Sequence, residues 1–180
     1  MERDDDGDRL AAAFGRWAAA ERTAQAAGVR SRERTLRDQA AGEATWAGLL
    51  VDLAETLAQV SLGVGARRLT GILVGVGRDF CVLDQRGGRP LLIPNERIVA
   101  VWKESPASGS RFPHLELSFE AALAGLAEER SPVCIHLAGG SQVSGDLVGC
   151  GTDLVTVRTE APARQSVHVR TDHIEVCELR

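Results

Sequence analysis

The chain has 180 residues, of which 44% are hydrophobic and 26% are charged. This composition is typical of a folded globular protein and excludes a wholly disordered one. Its longest apolar runs are interrupted by Gly, Arg or Asp, which excludes a segment that could span a bilayer, and no membrane partner is expected. The chain opens with the acidic segment 1–6, where a signal peptide would be basic, so we expect a cytoplasmic protein.

The charge is slightly acidic and unevenly distributed. The 21 basic residues stand against 25 acidic ones, a net charge of −4, which disfavours strong nonspecific binding to duplex nucleic acid. Residues 46–104, with 7 basic and 6 acidic residues, are the only net positive segment. An anion-binding surface is therefore expected there first.

The cysteines and histidines show no metal-binding spacing, so neither a metal nor a cofactor is expected. All four cysteines lie in apolar alternations, which predicts reduced and buried thiols. They are Cys81, Cys134, Cys150 and Cys177. Three histidines are scattered over the second set of strands and are interpreted as strand-surface residues. They are His136, His168 and His173.

The first part of the chain predicts helices. Up to Gln59 the sequence is rich in Ala, Arg, Glu and Leu and contains no proline. Residues 1–45 are predicted to form a helical arm with an apolar face around Trp17. A second helix is expected to run toward Gln59, with an apolar stripe spaced by three or four residues. The stripe consists of Trp46, Leu49, Leu50, Leu53 and Leu57.

From Val60 the hydrophobic period changes from 3.6 to 2, which predicts strands. Five short strands extend to residue 104, a pattern typical of a small barrel or sandwich. Residues 105–117 are predicted to be a linker, and Ser118 is predicted to be the N-cap of a helix that ends near Arg130. A second set of five strands completes a second domain over residues 118–180.

An internal repeat is the strongest feature of the sequence. Residues 69–79 align without a gap on residues 143–153, and six of these eleven pairs are identical. Downstream, residues 93–98 match residues 169–174 in pattern. Each copy therefore contains a helix, then five strands with a turn at Gly-x-Asp before the third strand and a four-residue turn before the last.

The repeat unit resembles the Sm-like (LSm) fold, a short helix on a strongly bent five-stranded barrel. The resemblance depends on the second-strand glycines, Gly71 and Gly145, and on Asp79 and Asp153, which open the third strand. The helical start followed by two such units is similar to a little-characterised actinobacterial family. The resemblance implies a mainly β protein with an N-terminal helical arm and two Sm-like barrels, each preceded by a helix, over residues 46–104 and 118–180.

In RNA-binding Sm-like proteins an acidic residue in this loop helps to hold the groups that contact the base, and the resemblance gives that role to Asp79 and Asp153. The alternative is that each Asp accepts backbone N–H bonds within its own turn. The family's basic, glycine-containing turn before the last strand is missing here. The candidate nucleic-acid contacts are Arg67, Arg68, Arg78, Asp79, Asn95, Arg97, Asp153, Arg170 and His173.

Aromatic residues placed for base stacking are not expected. Phe80 and Leu154 fall in core-like alternation, and Trp46 and Trp102 are expected to pack against the first barrel. No catalytic constellation is present, so an enzyme is not expected.

Two functions follow from these features. The first is a non-enzymatic Sm-like protein that binds RNA or nucleoprotein with modest affinity, or acts as a regulatory factor. The alternative is a scaffold that associates with itself or with another protein through its edge strands and helical arm. Because Sm-like barrels leave strand edges open, we expect residues 91–94 or 174–178 to meet another strand edge, within the chain or between chains.

Overall fold

The computed structural model describes residues 45–85, 89–105, 115–160 and 164–180. The predicted helical arm up to residue 44, with its Trp17 face, and residues 106–114 of the predicted linker lie outside the described residues. Residues Trp46–Arg180 form a compact unit. Within the described ranges, neither helix has the length and apolar character needed to cross a bilayer.

The first helix, α1, extends from Trp46 to Glu55 and buries Leu50 and Leu53 of the predicted stripe. Trp46 and Leu49 of the stripe are 40% and 41% exposed, so the buried face of the helix is narrower than the predicted stripe. The helix has only ten residues and packs through one narrow face. Trp46 is its first residue, and Leu49 points about 100° away from Leu50 around the helix axis.

The second helix, α2, extends from Phe119 to Glu128 and begins as predicted. The Ser118 hydroxyl accepts a hydrogen bond from the Ala121 N–H at 3.2 Å, which satisfies one of the free N–H groups of the first turn. Phe119 and Leu123 are the buried residues of this helix, and both belong to the core of the second repeat.

The ten strands form one open antiparallel sheet, so the mainly β fold with two helices is confirmed. The strands are β1 Gln59–Val64, β2 Arg67–Val76, β3 Phe80–Gln85, β4 Arg89–Pro94, β5 Ile98–Ser105, β6 Pro132–Leu137, β7 Gln142–Cys150, β8 Leu154–Thr159, β9 Ser166–Arg170 and β10 Ile174–Leu179. Their order across the sheet is β5-β1-β2-β3-β4-β10-β6-β7-β8-β9. We call α1 with β1–β5 the first half and α2 with β6–β10 the second half. Within each half the order is the same, namely fifth, first, second, third, fourth.

The backbone repeats between the halves down to individual hydrogen bonds. The Asn95 N–H donates to the Asp79 carbonyl at 2.9 Å, and the Thr171 N–H donates to the Asp153 carbonyl at 2.9 Å. The second strand of each half carries a register shift just before its second repeated glycine, between residues 73 and 75 and between residues 147 and 149. A short 3-10 turn precedes the last strand in both halves, at Asn95–Arg97 and Thr171–His173.

Gly71 and Gly145 are required by a close approach of backbone. A Cβ atom added at Gly71 would lie 2.5 Å from the Asp84 carbonyl oxygen, and one added at Gly145 would lie 2.1 Å from the Arg158 carbonyl oxygen. Carbon and oxygen atoms cannot come this close without repulsion. These glycines therefore let the second strand pass directly against the third.

The two halves meet where β4 pairs with β10. Leu92 lies opposite Cys177, and Leu91 lies opposite Glu178. The expectation that these segments meet a strand edge is confirmed, and the pairing occurs within one chain. Val176 of the second half belongs to the hydrophobic cluster of the first, so the halves also share core contacts.

Candidate functional site

A cleft of about 480 Å³ is lined by turns that contain several of the candidate contacts predicted from the sequence. It is bordered by the β2–β3 turn, the 3-10 turn after β4, the start of α2, and the matching turns of the second half. Its lining residues are Arg78, Asp79, Pro94, Asn95, Glu96, Phe119, Glu120, Thr152, Thr171 and Asp172. Three of the nine predicted contacts, Arg78, Asp79 and Asn95, therefore meet in one place.

Asp79 holds the start of α2. Its Oδ1 accepts a hydrogen bond from the Phe119 N–H at 2.6 Å, and the adjacent Arg78 N–H donates to the Leu117 carbonyl at 2.9 Å. A carboxylate at this position satisfies a free N–H of the helix and interacts favourably with the positive end of its dipole. Of the two interpretations, acceptance of backbone N–H bonds is closer for Asp79, although the donor lies in α2 and not in the aspartate's own turn.

Asn95 and Arg97 place unsatisfied polar atoms beside the cleft. Asn95 Oδ1 and Arg97 Nε are buried and have no hydrogen-bond partner among the described residues. The other end of the Arg97 guanidinium lies 3.4 Å from Glu96 Oε1. A buried amide oxygen without a donor costs about 1–3 kcal/mol, so a rotation that brought the Asn95 amide to the cleft surface, to accept a hydrogen bond from a ligand, would be favourable.

The charges around the cleft are mainly negative. Arg78 is its one basic residue, and the lining also contains four carboxylates. They belong to Asp79, Glu96, Glu120 and Asp172. Two of these carboxylates are paired with arginines outside the lining, Glu96 with Arg97 at 3.4 Å and Asp172 with Arg170 at 2.5 Å. The remaining negative excess is small, but it still favours a hydrogen-bond donor over a polyanion backbone.

The predicted contacts of the second half form no similar constellation. Asp153 is exposed, and its carboxylate makes no counterpart of the Asp79 bond within the described part of the chain. Arg170 pairs with Asp172 at 2.5 Å, and His173 Nε2 lies 4.0 Å from the same carboxylate. Both side chains are more than half exposed, so these pairs contribute little to stability.

Arg67 and Arg68 lie on β2, outside the lining of the cleft. The Arg68 guanidinium lies 4.3 Å from the centre of the Trp102 ring and 4.0 Å from Glu104 Oε1. The Trp102 ring also covers Gly63, where an added Cβ would lie 3.3 Å from it. Arg68 and the Gly63 backbone therefore both pack against the Trp102 ring. A base could stack on this ring only by displacing Arg68.

Trp102 packs on the first half, against Gly63 of β1, but it lies on the outer face of the sheet and is 44% exposed. The expectation that Leu154 belongs to the core is wrong, because Leu154 is 38% exposed on β8. The two-residue period of a strand gives the alternation but not which of the two faces is buried. Phe80 is buried, as predicted.

A cluster of metal-ligating side chains escaped the sequence interpretation. Cys134 Sγ, a ring nitrogen of His136 and a carboxylate oxygen of Glu178 all lie within 4.8 Å of one another. Cys134 and Glu178 are direct register partners on β6 and β10, more than forty positions apart in the chain. The alternating Cys-x-His was the available signal, but only the strand pairing brings the carboxylate to it.

The described structure contains no disulfide, and all four cysteines are free. Burial raises the pKa of Cys81 to about 12. Burial, together with Cys134 and Glu178, raises the pKa of Cys177 to about 12 as well. Cys150 is only partly buried, contrary to the prediction, and its pKa is raised by burial and by Glu120.

Comparison with known proteins adds no relative, because neither a family model nor a curated protein matches the chain.

Proposed function

We propose that this is a cytoplasmic, non-enzymatic protein with two Sm-like barrels, whose function is to assemble with further copies of itself through its outer strands. The strand order fifth-first-second-third-fourth, present in both halves, supports the Sm-like part of the proposal. The free cysteines support a reducing compartment.

The internal junction between β4 and β10 carries the assembly proposal. It pairs the fourth strand of one half with the fifth strand of the other. The complementary fourth and fifth strands are β9 and β5, and each has only one neighbouring strand within the described residues. A second copy could therefore pair its β5 with β9 and reproduce the junction already present inside the chain. Such a head-to-tail contact forms a ring if it closes and a filament if it does not.

The outer strands lack much of what usually protects an edge. Neither contains proline, and β5 is eight residues long with Lys103 as its one lysine. Val99 and Trp102 of β5 are 73% and 44% exposed. Exposed apolar residues on a long free edge favour strand pairing over solvent exposure.

The first test is the mass of the full chain in solution, measured by light scattering and native mass spectrometry over a concentration series. We expect oligomers in the wild type and a shift to the monomer in Val99→Lys. Ile72→Lys is the matched control, because Ile72 is also an exposed aliphatic residue but lies on β2, which has neighbours on both sides. A wild type that stays monomeric at every concentration would overturn the proposal, and so would equal effects of the two variants.

A crosslink tests the register. By the repeat, Val101 and His168 are the counterparts of Cys177 and Leu92, which face each other at the internal junction. The double variant Val101→Cys/His168→Cys should form disulfides between chains and give a ladder of covalent oligomers. The pair Val99→Cys/His168→Cys, shifted by two residues, should crosslink much less.

RNA binding is the second candidate, favoured by the meeting of Arg78, Asp79 and Asn95 in the cleft with an unsatisfied Asn95 oxygen. A base edge could supply the missing donor, although the acidic lining argues for low affinity. Fluorescence anisotropy with single-stranded RNA should show weak, salt-dependent binding that Asn95→Ala and Arg78→Glu reduce at least fivefold. Arg164→Glu is the control. If Arg67→Glu/Arg68→Glu reduces binding and Asn95→Ala does not, the site is on β2 and not in the cleft.

A further inference from the structure

The Cys134, His136 and Glu178 cluster is placed by the sheet itself. Cys134 and His136 are two residues apart on β6, so their side chains leave the same face of the sheet. Glu178 on β10 lies directly opposite Cys134. Gln142 on β7 lies opposite His136, and the Cys134 thiol donates to Gln142 Oε1 at 3.9 Å. Three potential ligand atoms therefore lie within 4.8 Å of one another, and a fourth, Gln142 Oε1, lies beside the Cys134 thiol.

The cluster is shielded from water and its members are already oriented. Cys134 is 1% exposed, and the side chains of His136 and Glu178 are 15% and 19% exposed. Arg89 of β4 holds Glu178 Oε1 at 3.2 Å, which leaves Oε2 facing His136 Nε2 at 3.5 Å. The other ring nitrogen, Nδ1, is buried without a hydrogen-bond partner among the described residues. The polar contacts of the ring are thus made through the nitrogen that faces the cluster.

We propose that Cys134, His136 and Glu178 bind a zinc ion, with water or the Gln142 amide oxygen as the fourth ligand. A thiolate, an imidazole and a carboxylate are the ligand types that zinc takes in proteins. At metal–ligand distances of about 2.0–2.3 Å, the ligand atoms around one ion lie about 3.3–3.8 Å apart. The present separations, 4.8 Å or less, close to these values by small side-chain rotations. Coordination removes the Cys134 thiol proton, which leaves to solvent.

The first half shows that the fold itself does not demand these residues. By register, Ser61, Gly63 and Trp102 occupy the positions of Cys134, His136 and Glu178. None of the three is a usual zinc ligand. The same sheet positions are therefore filled without metal ligands in one half and with three of them in the other.

A metal here would join β6 to β10 beside the junction of the halves. Glu178 supplies one ligand, lies opposite Leu91 of β4 and pairs with Arg89 of the same strand. The ion would therefore fix the strand that holds the two halves together. This role does not depend on assembly through the outer strands.

The test uses the full chain, freed of metal by a chelator and titrated with Co²⁺. We expect one equivalent to bind with a sulfur-to-cobalt charge-transfer band in the near ultraviolet, and Zn²⁺ to displace it. Cys134→Ser should abolish the band, and His136→Gln and Glu178→Gln should weaken binding at least tenfold. Cys150→Ser is the control, because Cys150 is a free, partly buried cysteine that lies outside the cluster.

Thermal unfolding of the metal-free variants shows whether a loss of binding reflects a loss of fold. His136 and Glu178 are not core residues, so replacing either one should leave a smaller cavity than replacing a core residue would. Zn²⁺ should raise the melting temperature of the wild type but not of folded His136→Gln. The proposal is overturned if the wild type gives no saturable charge-transfer band, if Cys134→Ser keeps it, or if Cys150→Ser removes it.

Discussion

The two halves of the sheet present different chemistry at the same place. On the outer face of the first half, Trp102 lies over Gly63 with Arg68 against its ring. At the matching positions of the second half lie Glu178, His136 and Gln142. The backbone pairing around these sites is the same, since Ser61 and Cys134 each sit between matching partners on the neighbouring strands.

The comparison separates what the fold requires from what it leaves free. Gly71 and Gly145, and the buried Leu73 and Leu147, are identical in the two halves because the strand crossing and the core have no room for alternatives. The outer face is under no such constraint, so it can differ. One version lies on β5, which has a single neighbouring strand within the described residues, and the other lies on β10, inside the sheet.

The largest expected effect tests the shared backbone. Gly71→Ala and Gly145→Ala should each destabilise the protein by about 3 kcal/mol or more, because the added Cβ would overlap a carbonyl oxygen of the third strand. Gly149→Ala is the control, since the nearest atom to its Cβ would be 3.7 Å away. Urea denaturation measures the difference. If only one of Gly71→Ala and Gly145→Ala lowered the free energy of unfolding, the two halves would not be equivalent at this crossing.

The next effect tests how far the halves are separate. Val176 belongs to the second half but packs in the first-half cluster, so Val176→Ala should cost about 2 kcal/mol and increase amide exchange in β1–β3. Val155→Ala is a suitable control because Val155 is equally buried and packs only in the second-half cluster. Hydrogen exchange with mass spectrometry distinguishes them. Equal exchange patterns in the two variants would contradict a shared core.

Each half also contains a buried thiol that should weaken the fold at high pH. The pKa of both Cys81 and Cys177 is raised to about 12 from an ordinary value of 9.0. Above pH 9 the unfolded chain loses these protons while the folded chain keeps them. The free energy of unfolding should therefore fall by about 1.4 kcal/mol per pH unit for each thiol until pH approaches 12. In Cys81→Val/Cys177→Val, denaturation curves between pH 8 and 11 should lose that slope, and an unchanged slope would refute this cause.

The smallest effect tests the asymmetry of the repeated aspartates. Asp79→Ala removes the acceptor for the Phe119 N–H and should cost about 1 kcal/mol. Asp153→Ala should change stability by less than about 0.5 kcal/mol, because Asp153 is exposed and holds no helix. Thermal unfolding of both variants side by side measures the difference. Equal losses would show that the aspartates act through their own turns.

Local patterns in the sequence predicted much of this fold. The two-residue period located ten strands, Ser118 marked a helix start, and the repeat marked the glycine crossings. The period did not show which face of a strand is buried, so the core-like pattern around Leu154 was misleading and this residue is 38% exposed. Site residues were harder to predict, because strand pairing determines which side chains lie close together. Arg78 and Asn95 meet since the turns of one half lie together, and Cys134 meets Glu178 only because β6 and β10 are neighbours.

Because β4 and β10 pair within one chain, their junction also restricts the symmetry of any ring that the chain could close. Every copy adds two halves of the sheet, so a closed ring always holds an even number of halves. Junctions within a chain alternate with junctions between chains around such a ring. The first kind carries the Cys134, His136 and Glu178 cluster, and the second carries Trp102 with Arg68. The order of the rotational symmetry of the ring would therefore equal the number of chains, which is half the number of repeated halves in its backbone.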